Sequence, residues 1–211
     1  MKTRKINIGL IVLTLICAVV LTGCFGRTKP PYVMDQYTLD YVSPGAGERR
    51  PVDELVTVER FAISPQFSSP SMMIRTGKYR FETYDYSRWH VNPADMVTGF
   101  VLRDITRSGI FKGTYSYYDT ELSRYLVEGY IEEFGETADG KALANIRVTF
   151  LDTSRQNPVE QIVFQKQYVH STPVGDHSAS GLAAALSAAM QEFSAALITD
   201  IGMALQGKTP K

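Results

Sequence analysis

The sequence predicts an α/β fold in a single domain: a mixed or antiparallel β-sheet with two helices packed on one face. Two β-rich zones provide the sheet, and they are separated by a well-capped helix that begins at Pro93. An alanine-rich helix over residues 178–206 follows the second zone. The order strands, helix, strands, helix is typical of one sheet covered by helices.

The first β-rich zone contains four predicted strands. Residues 37–42 predict a short strand, because Tyr37, Leu39 and Tyr41 alternate with Thr38, Asp40 and Val42. Residues 55–63 are rich in residues that favour strands, and they predict a central strand. Residues 72–76 and 79–86 predict a hairpin that turns at Gly77-Lys78.

The first helix carries signals at both of its ends. Asn92 can cap the first turn, Pro93 suits the first helical position, and Asp95 complements the positive end of the helix dipole. Apolar residues then recur at helical spacing until Gly109, which predicts the end of the helix.

The second β-rich zone and the last helix complete the domain. Residues 115–118 predict a short strand, residues 124–136 and 143–152 flank the hairpin turn Asp139-Gly140, and residues 161–169 predict a further strand. In the last helix, large apolar residues recur at steps of three or four. The alanines between them allow this helix to lie close on the sheet.

The composition excludes several classes of protein. The chain has 22 basic and 22 acidic residues in 211, so it lacks the basic surface of a nucleic-acid-binding protein, and we expect no nucleic acid partner. Its two cysteines, Cys17 and Cys24, cannot build a disulfide framework or a cysteine zinc site.

The first 24 residues have the organisation of an export signal. Basic residues precede residues 8–21, which carry no charge and are too few to span a bilayer but suit the core of a signal peptide. The core ends in Leu21-Thr22-Gly23-Cys24, which resembles the lipobox of bacterial lipoproteins. The resemblance implies acylation of the Cys24 sulfur and cleavage between Gly23 and Cys24. A plain secretory signal with an incidental cysteine is the alternative.

The expected organisation follows from this cleavage. Residues 1–23 are the signal peptide, residues 24–35 a lipidated tether, and residues 36–207 the folded domain. Each buried methylene contributes roughly 0.8 kcal/mol, so two or three acyl chains on Cys24 would anchor the protein stably. The next residue is Phe25 rather than aspartate, which by resemblance to enterobacterial sorting favours the periplasmic side of the outer membrane over the inner membrane.

No familiar catalytic motif occurs in the sequence. It has neither a Gly-x-Ser-x-Gly nucleophile elbow nor a Gly-x-x-x-x-Gly-Lys phosphate loop. Glu128 with Glu132 is better explained as a solvated sheet face than as an acid–base pair. Asp176 with His177 is better explained as a polar cap of the last helix than as a metal site. We therefore expect no enzymatic activity, no cofactor and no bound metal.

Candidate partner-binding residues come from the aromatic residues. Most of the 12 tyrosines suit half-buried strand positions, but Tyr115 and Tyr117 are candidates for an interface, where tyrosine is enriched. Arg88-Trp89 lies between a strand and the first helix, and either anchors a partner or packs in the core. We expect exposed strand edges to take part as well, because an unpaired edge offers backbone hydrogen bonds.

Several of these features together resemble the family of ABC-type transport auxiliary lipoproteins, which includes the PqiC lipoproteins and lipoproteins encoded with MCE lipid-transport systems. The resemblance covers roughly residues 36–205, and the tyrosine-rich residues 115–118 depart from it. The segments that carry it, besides the alanine-rich last helix, are Leu21 to Cys24, Tyr37-Thr38-Leu39-Asp40, Met73-Ile74-Arg75, Tyr86-Ser87-Arg88-Trp89, Ser108-Gly109-Ile110-Phe111, and residues 124–134 with their hairpin partner.

The resemblance implies a non-catalytic component of an envelope transport system. In such systems the ATPase and permease lie in the inner membrane, MCE-domain proteins form the periplasmic conduit, and the lipoprotein aids transfer of phospholipid or another hydrophobic molecule. The implied partners are the membrane, through the Cys24 lipid, an MCE-domain protein and the ABC transporter components. The alternatives are a structural lipoprotein that bridges outer-membrane or cell-wall partners without transport, and a periplasmic hydrolase with a non-standard site.

The predicted lipobox can be tested in the host envelope. Mass spectrometry of the amino-terminal peptide should show an acylated Cys24, and Cys24→Ser should abolish the modification because the sulfur is the acceptor. Cys17→Ser is the matched control and should change nothing, since Cys17 lies in the segment that is cleaved away. An unmodified Cys24 in the wild-type protein would contradict the prediction.

Overall fold

A computed structural model describes residues 33–45, 51–120 and 123–207; the predicted signal peptide, its cleavage site and Cys24 lie outside the described residues. The described strands form one mixed sheet, and three helices accompany it. The strands are β1 Asp35–Tyr37, β2 Val52–Val58, β3 Ala62–Ile63, β4 Ser71–Gly77, β5 Arg80–Trp89, β6 Phe111–Ser116, β7 Tyr125–Glu136, β8 Lys141–Asp152 and β9 Ile162–Pro173. The helices are α1 Pro93–Ser108, α2 Pro158–Gln161 and α3 Ala179–Ala204.

The sheet is arranged around the long strand β7. One edge of β7 pairs antiparallel with β8, and β8 pairs antiparallel with β9. The other edge is shared by three parallel strands in turn: β2 at residues 125–127, β3 at residues 130–131 and β4 at Glu136. Beyond these, β6 pairs in parallel with β2, β5 antiparallel with β4, and β1 in parallel with β5.

The two long helices, α1 and α3, cover a continuous apolar core. The Asn92 side chain caps α1 by accepting the Ala94 N–H at 2.9 Å, and Gly109 ends it in the left-handed conformation with a φ of 65°. α3 is long and apolar enough to cross a membrane, but 61% of its most apolar window is buried, so we assign it to the core. The predicted fold class and both predicted helices are confirmed.

The prediction of one continuous central strand over residues 55–63 is wrong, because the structure divides this segment into β2 and β3. The break contains Phe61, whose side chain is fully buried and whose N–H donates to Thr98 Oγ1 of α1 at 2.9 Å. The Phe61 ring packs onto Gly129 of β7, where a Cβ atom would lie 2.2 Å from the ring. The strand is therefore interrupted to place one aromatic ring between α1 and the sheet.

The strand predicted for residues 37–42 also differs from the structure. β1 ends at Tyr37, and the chain then crosses from the sheet to the helices. There the Asp40 N–H donates to Ser187 Oγ at 2.9 Å, and the Tyr41 hydroxyl donates to buried Asp104 at 2.7 Å. The alternation of apolar and polar residues thus reflects burial of Leu39 and Tyr41 against helices rather than a strand.

The Phe61–Gly129 contact predicts opposite effects for two alanine substitutions. Gly129→Ala should lower the free energy of unfolding by about 1–3 kcal/mol, because the new methyl group overlaps the ring and the core must shift. Gly99→Ala in α1 is the control: no atom lies within 4 Å of its Cβ position, and the better helix former should raise stability by up to about 1 kcal/mol. Urea unfolding measures both, and an unchanged Gly129→Ala variant would contradict the packing.

An ion network joins β2 to the start of the β7–β8 hairpin. The Arg124 guanidinium contacts both carboxylate oxygens of Asp152 at 3.1 Å and Glu54 at 2.6 Å. Arg124, with help from Ser154, lowers the pKa of Asp152 to about 2. The carboxyl group therefore stays ionised in the folded state at pH values where the unfolded chain already binds a proton.

This lowered pKa predicts a loss of stability in acid. The contribution of Asp152 is fully present above the unfolded pKa of about 4 and is lost as the pH falls through the folded pKa. We expect Asp152→Asn to flatten the decline in stability between about pH 5 and pH 2 by about 1 kcal/mol, a small value because Arg124 is 41% exposed and solvent screens the pair. Parallel curves for wild type and variant over this pH range would contradict it.

Candidate partner-binding surfaces

The four candidate interface residues fall in two separate places. Arg88 and Trp89 end β5, whereas Tyr115 lies in β6 and Tyr117 directly follows that strand. Trp89 is only 1% exposed and its ring lies 5.7 Å from that of Phe134, so the structure shows the core-packing alternative for this residue. The Arg88 side chain is exposed at the surface.

Arg88 closes a long bulge in β5. The pairing with β4 jumps from Met73 opposite Thr83 to Ser71 opposite Arg88, so the four residues 84–87 of β5 face the single residue Met72 of β4. Within the bulge, Tyr86 takes a left-handed conformation with a φ of 57°, which is unusual for a non-glycine residue, and its side chain is 55% exposed. Bulges of this kind redirect side chains.

A buried carboxylate holds the bulge in place. The Tyr84 hydroxyl donates to Glu136 at the end of β7, and His177 Nδ1 lies 2.8 Å from the other oxygen of the same carboxylate. Burial, followed by the bond to Glu136, raises the pKa of Tyr84. The bulge therefore turns Tyr84 inward and presents Tyr86 and Arg88 beside Met34, around a hollow of about 360 Å³.

The second surface, which we call the tyrosine edge, consists of Tyr115, Tyr117 and Tyr118 at the end of β6. Residues 115–118 were predicted as a strand, but β6 ends at Ser116 and the chain turns there. The turn brings Tyr117 and Tyr118 together with ring centroids 4.1 Å apart, and Tyr118 is 80% exposed. A hydrogen bond between the two hydroxyl groups raises the pKa of Tyr117 to about 12.

An ion pair lies beside the tyrosine edge. Arg60, from the break between β2 and β3, contacts Asp95 in the first turn of α1 at 2.5 Å, and both side chains are partly exposed. Asp95, and to a smaller extent the hydroxyls of Tyr117 and Tyr118, raise the pKa of Arg60. β6 is the outermost strand of this arm of the described sheet. The tyrosine edge thus combines exposed aromatic area, a charge pair and a strand edge, which are features of protein interfaces.

Two of the remaining polar candidates, Glu132 and Asp176, have structural partners. Glu132 accepts a hydrogen bond from Gln167 at 2.7 Å and lies 3.3 Å from Arg147. Asp176 accepts a bond from the hydroxyl of Ser178, the N-cap residue of α3, at 2.7 Å. In the described ranges, no three His, Cys, Asp or Glu side chains come together as potential metal ligands.

Sequence reasoning missed Tyr118 and the cluster of Tyr84, Glu136 and His177. Consecutive residues of a strand face opposite sides, so a strand over residues 115–118 would have separated Tyr117 from Tyr118. The sequence signal for the turn is the pair of Ser116 and Asp119. The aspartate side chain accepts a hydrogen bond from the Ser116 N–H at 2.7 Å and fixes the turn.

Solved structures share this fold at low sequence identity. Protein XCC0632 from Xanthomonas campestris has a TM-score of 0.72 and 16% identity, over 81% of this chain and 96% of that chain. An uncharacterized protein has a TM-score of 0.65 and 9% identity, over 81% and 99% of the two chains. Hypothetical protein CT253 from Chlamydia trachomatis has a TM-score of 0.50 and 10% identity, over 74% and 100%. These likenesses show the fold alone, and no curated protein matches the chain.

The sequence of the folded domain carries the family assignment. The family model described as the ABC-type transport auxiliary lipoprotein component matches residues 37–197, from the end of β1 into the last turns of α3. This match includes the β5 bulge and the tyrosine edge. The chain therefore belongs to the family of ABC-type transport auxiliary lipoprotein components.

Proposed function

We propose that this protein is the lipid-anchored periplasmic component of an ABC/MCE-type transport system. In this proposal Cys24 holds it at the periplasmic side of the outer membrane, and it aids the movement of phospholipid or another hydrophobic molecule between membranes. The family match over residues 37–197 is the observation that carries the proposal, because it makes the chain an auxiliary, transport-associated component of the envelope. The family match does not specify the lipid cargo, the MCE-domain partner or the outer membrane, which are the further parts of this proposal.

A docking role, rather than catalysis, fits the chemistry of the described residues. The family is one of auxiliary transport components and not a known enzyme family. The buried carboxylates Asp104, Glu136, Asp152 and Asp200 each accept bonds from tyrosine, serine, arginine or lysine side chains and thereby join elements of the fold. The polar groups that are free to contact another molecule therefore lie at the protein surface, where an auxiliary component would bind its transporter.

The tyrosine edge is the surface that we assign to the MCE-domain partner. Tyr118 offers a large exposed ring, and its tilted contact with the Tyr117 ring restricts its motion before a partner arrives. A side chain that is already ordered loses less conformational entropy on binding. The outer edge of β6 adds backbone groups that a strand of the partner can pair with.

Co-purification of the acylated full-length protein from envelopes tests this assignment. Wild type should bring down an MCE-domain protein and ABC transporter components. The double variant Tyr117→Ala/Tyr118→Ala should weaken this association about thirtyfold and reduce recovery accordingly, since a tyrosine at the centre of an interface contributes about 2 kcal/mol. Val159→Ala is the control, because Val159 is 76% exposed, close to the 80% of Tyr118, but lies in α2.

The recovered proteins also separate the candidate functions. Full recovery of the transporter with the double variant would contradict the role of the tyrosine edge. Recovery of outer-membrane or cell-wall proteins only, with no transporter component, would favour the structural lipoprotein instead.

A further inference from the structure

The turn between β4 and β5 contains two residue types that its backbone geometry does not require. Gly77 pairs with Arg80, so Lys78 and Tyr79 form a two-residue turn. Two-residue hairpin turns favour glycine or asparagine at positive φ, and neither Lys78 nor Tyr79 has a positive φ. Tyr79 is 88% exposed, and the Lys78 ammonium lies 5.2 Å from the centre of its ring. The turn therefore exposes an aromatic ring between two basic residues.

This turn points to the side from which the chain enters the domain. β1 runs parallel to β5, with Asp35 opposite Ser87 and Tyr37 opposite Trp89. The residue before β1 therefore lies on the side of β1 toward the start of β5 and the turn. Met34, the residue before β1, lines the hollow of the β5 bulge with Tyr86 and Arg88.

The predicted lipid anchor is close to this entry point along the chain. Met34 follows Cys24 by ten positions, and a fully extended chain spans at most about 3.5 Å per residue, or about 35 Å here. An acylated Cys24 would therefore keep the entry side of the domain within that distance of the bilayer. The intervening residues include Arg27 and Lys29 and no acidic residue.

Charge distinguishes this region from the rest of the exported chain. Residues 71–89, which contain β4 and β5, carry four basic and two acidic residues, whereas the remainder of residues 24–211 carries 15 basic and 20 acidic ones. Arg80 contacts Glu82 at 2.5 Å but stays 75% exposed, and Arg75 lies 3.6 Å from Glu133. Lys78 and Arg80 thus give the turn a basic, exposed tip on a domain that is otherwise acidic.

We propose that the turn, whose residues Lys78, Tyr79 and Arg80 we call the hairpin face, contacts the phospholipid headgroups of the membrane to which Cys24 is attached. Basic side chains bind the anionic phosphates, and tyrosine rings occupy the layer between headgroups and acyl chains. The inference rests on the lipid anchor of the proposed function. The headgroup layer is favoured over a protein because the tether brings this side of the domain to a bilayer.

A single fluorescent label reports on the contact. An acylated Cys24 cannot react with a thiol reagent, and Cys17 lies in the predicted signal peptide, so Thr76→Cys, next to the turn, provides one labelling site on the mature protein. Val159→Cys is the control: Val159 is 76% exposed in α2, which joins β8 to β9 at the opposite end of β7 from β4. Both acylated full-length proteins are reconstituted in vesicles of phosphatidylethanolamine and phosphatidylglycerol that contain a headgroup-quencher lipid.

The expected result is a blue-shifted label at residue 76 that is quenched several-fold more strongly than the label at residue 159. Lys78→Glu/Arg80→Glu, placed in the Thr76→Cys protein, should remove most of this difference, because it replaces the charges that face the phosphates. Equal quenching at the two positions would overturn the proposal. So would a response at residue 76 that occurs in whole envelopes and not in vesicles, since it would assign the hairpin face to a protein.

The mass of the amino-terminal peptide from the same samples separates this inference from the proposed function. An unmodified Cys24 overturns the anchor and the headgroup contact together. A modified Cys24 with equal quenching overturns the headgroup contact alone. Strong quenching at residue 76 without any recovered transporter component leaves the headgroup contact supported and contradicts the proposed transport partner.

Discussion

The contact between the Phe61 ring and Gly129 is the constraint on which the rest of the structure depends. It requires a strand without a side chain at residue 129 and a break between β2 and β3 that releases Phe61 from the sheet. The Phe61 N–H donates its hydrogen bond to Thr98 Oγ1 of α1 rather than to a neighbouring strand. One buried ring thus fixes the position of α1 over β7. The same break places Arg60 against Asp95, so the geometry of the tyrosine edge follows from the packing of the core.

Local signals predicted those parts of the fold that depend on neighbouring residues. Asn92, Pro93 and Gly109 mark the bounds of α1 because caps act within one turn. Asp139-Gly140 marks the β7–β8 hairpin because Gly140 adopts the positive φ that the turn needs. The break at Phe61 has no such signal, since its cause is a glycine distant in sequence. Residues 55–63 have strand composition throughout, and composition cannot report a contact across the core.

The candidate surfaces, like the fold, were predictable only where they depend on residues close together in the sequence. The enrichment in tyrosine located the tyrosine edge, because aromatic residues in sequence remain near one another in space. The burial of Trp89 and exposure of Arg88 depend on which face of β5 meets Phe134, and the bulge at residues 84–87 resets that register. A one-residue change of register exchanges the two faces of a strand. Sequence alone therefore could not decide between the core and the partner interpretation of Arg88-Trp89.

The two surfaces lie at different levels of the sheet. β2 and β4 both run parallel to β7, but β2 ends beside Val127 and β4 pairs at Glu136, with the Lys78–Tyr79 turn beyond it. At about 3.3 Å per residue, the tyrosine edge and the turn are separated by roughly 30–40 Å along the strands. If the hairpin face lies on the headgroups, the tyrosine edge is held away from the bilayer, where another protein can reach it. The stiffness of the sheet then sets the distance between the hairpin face and the tyrosine edge.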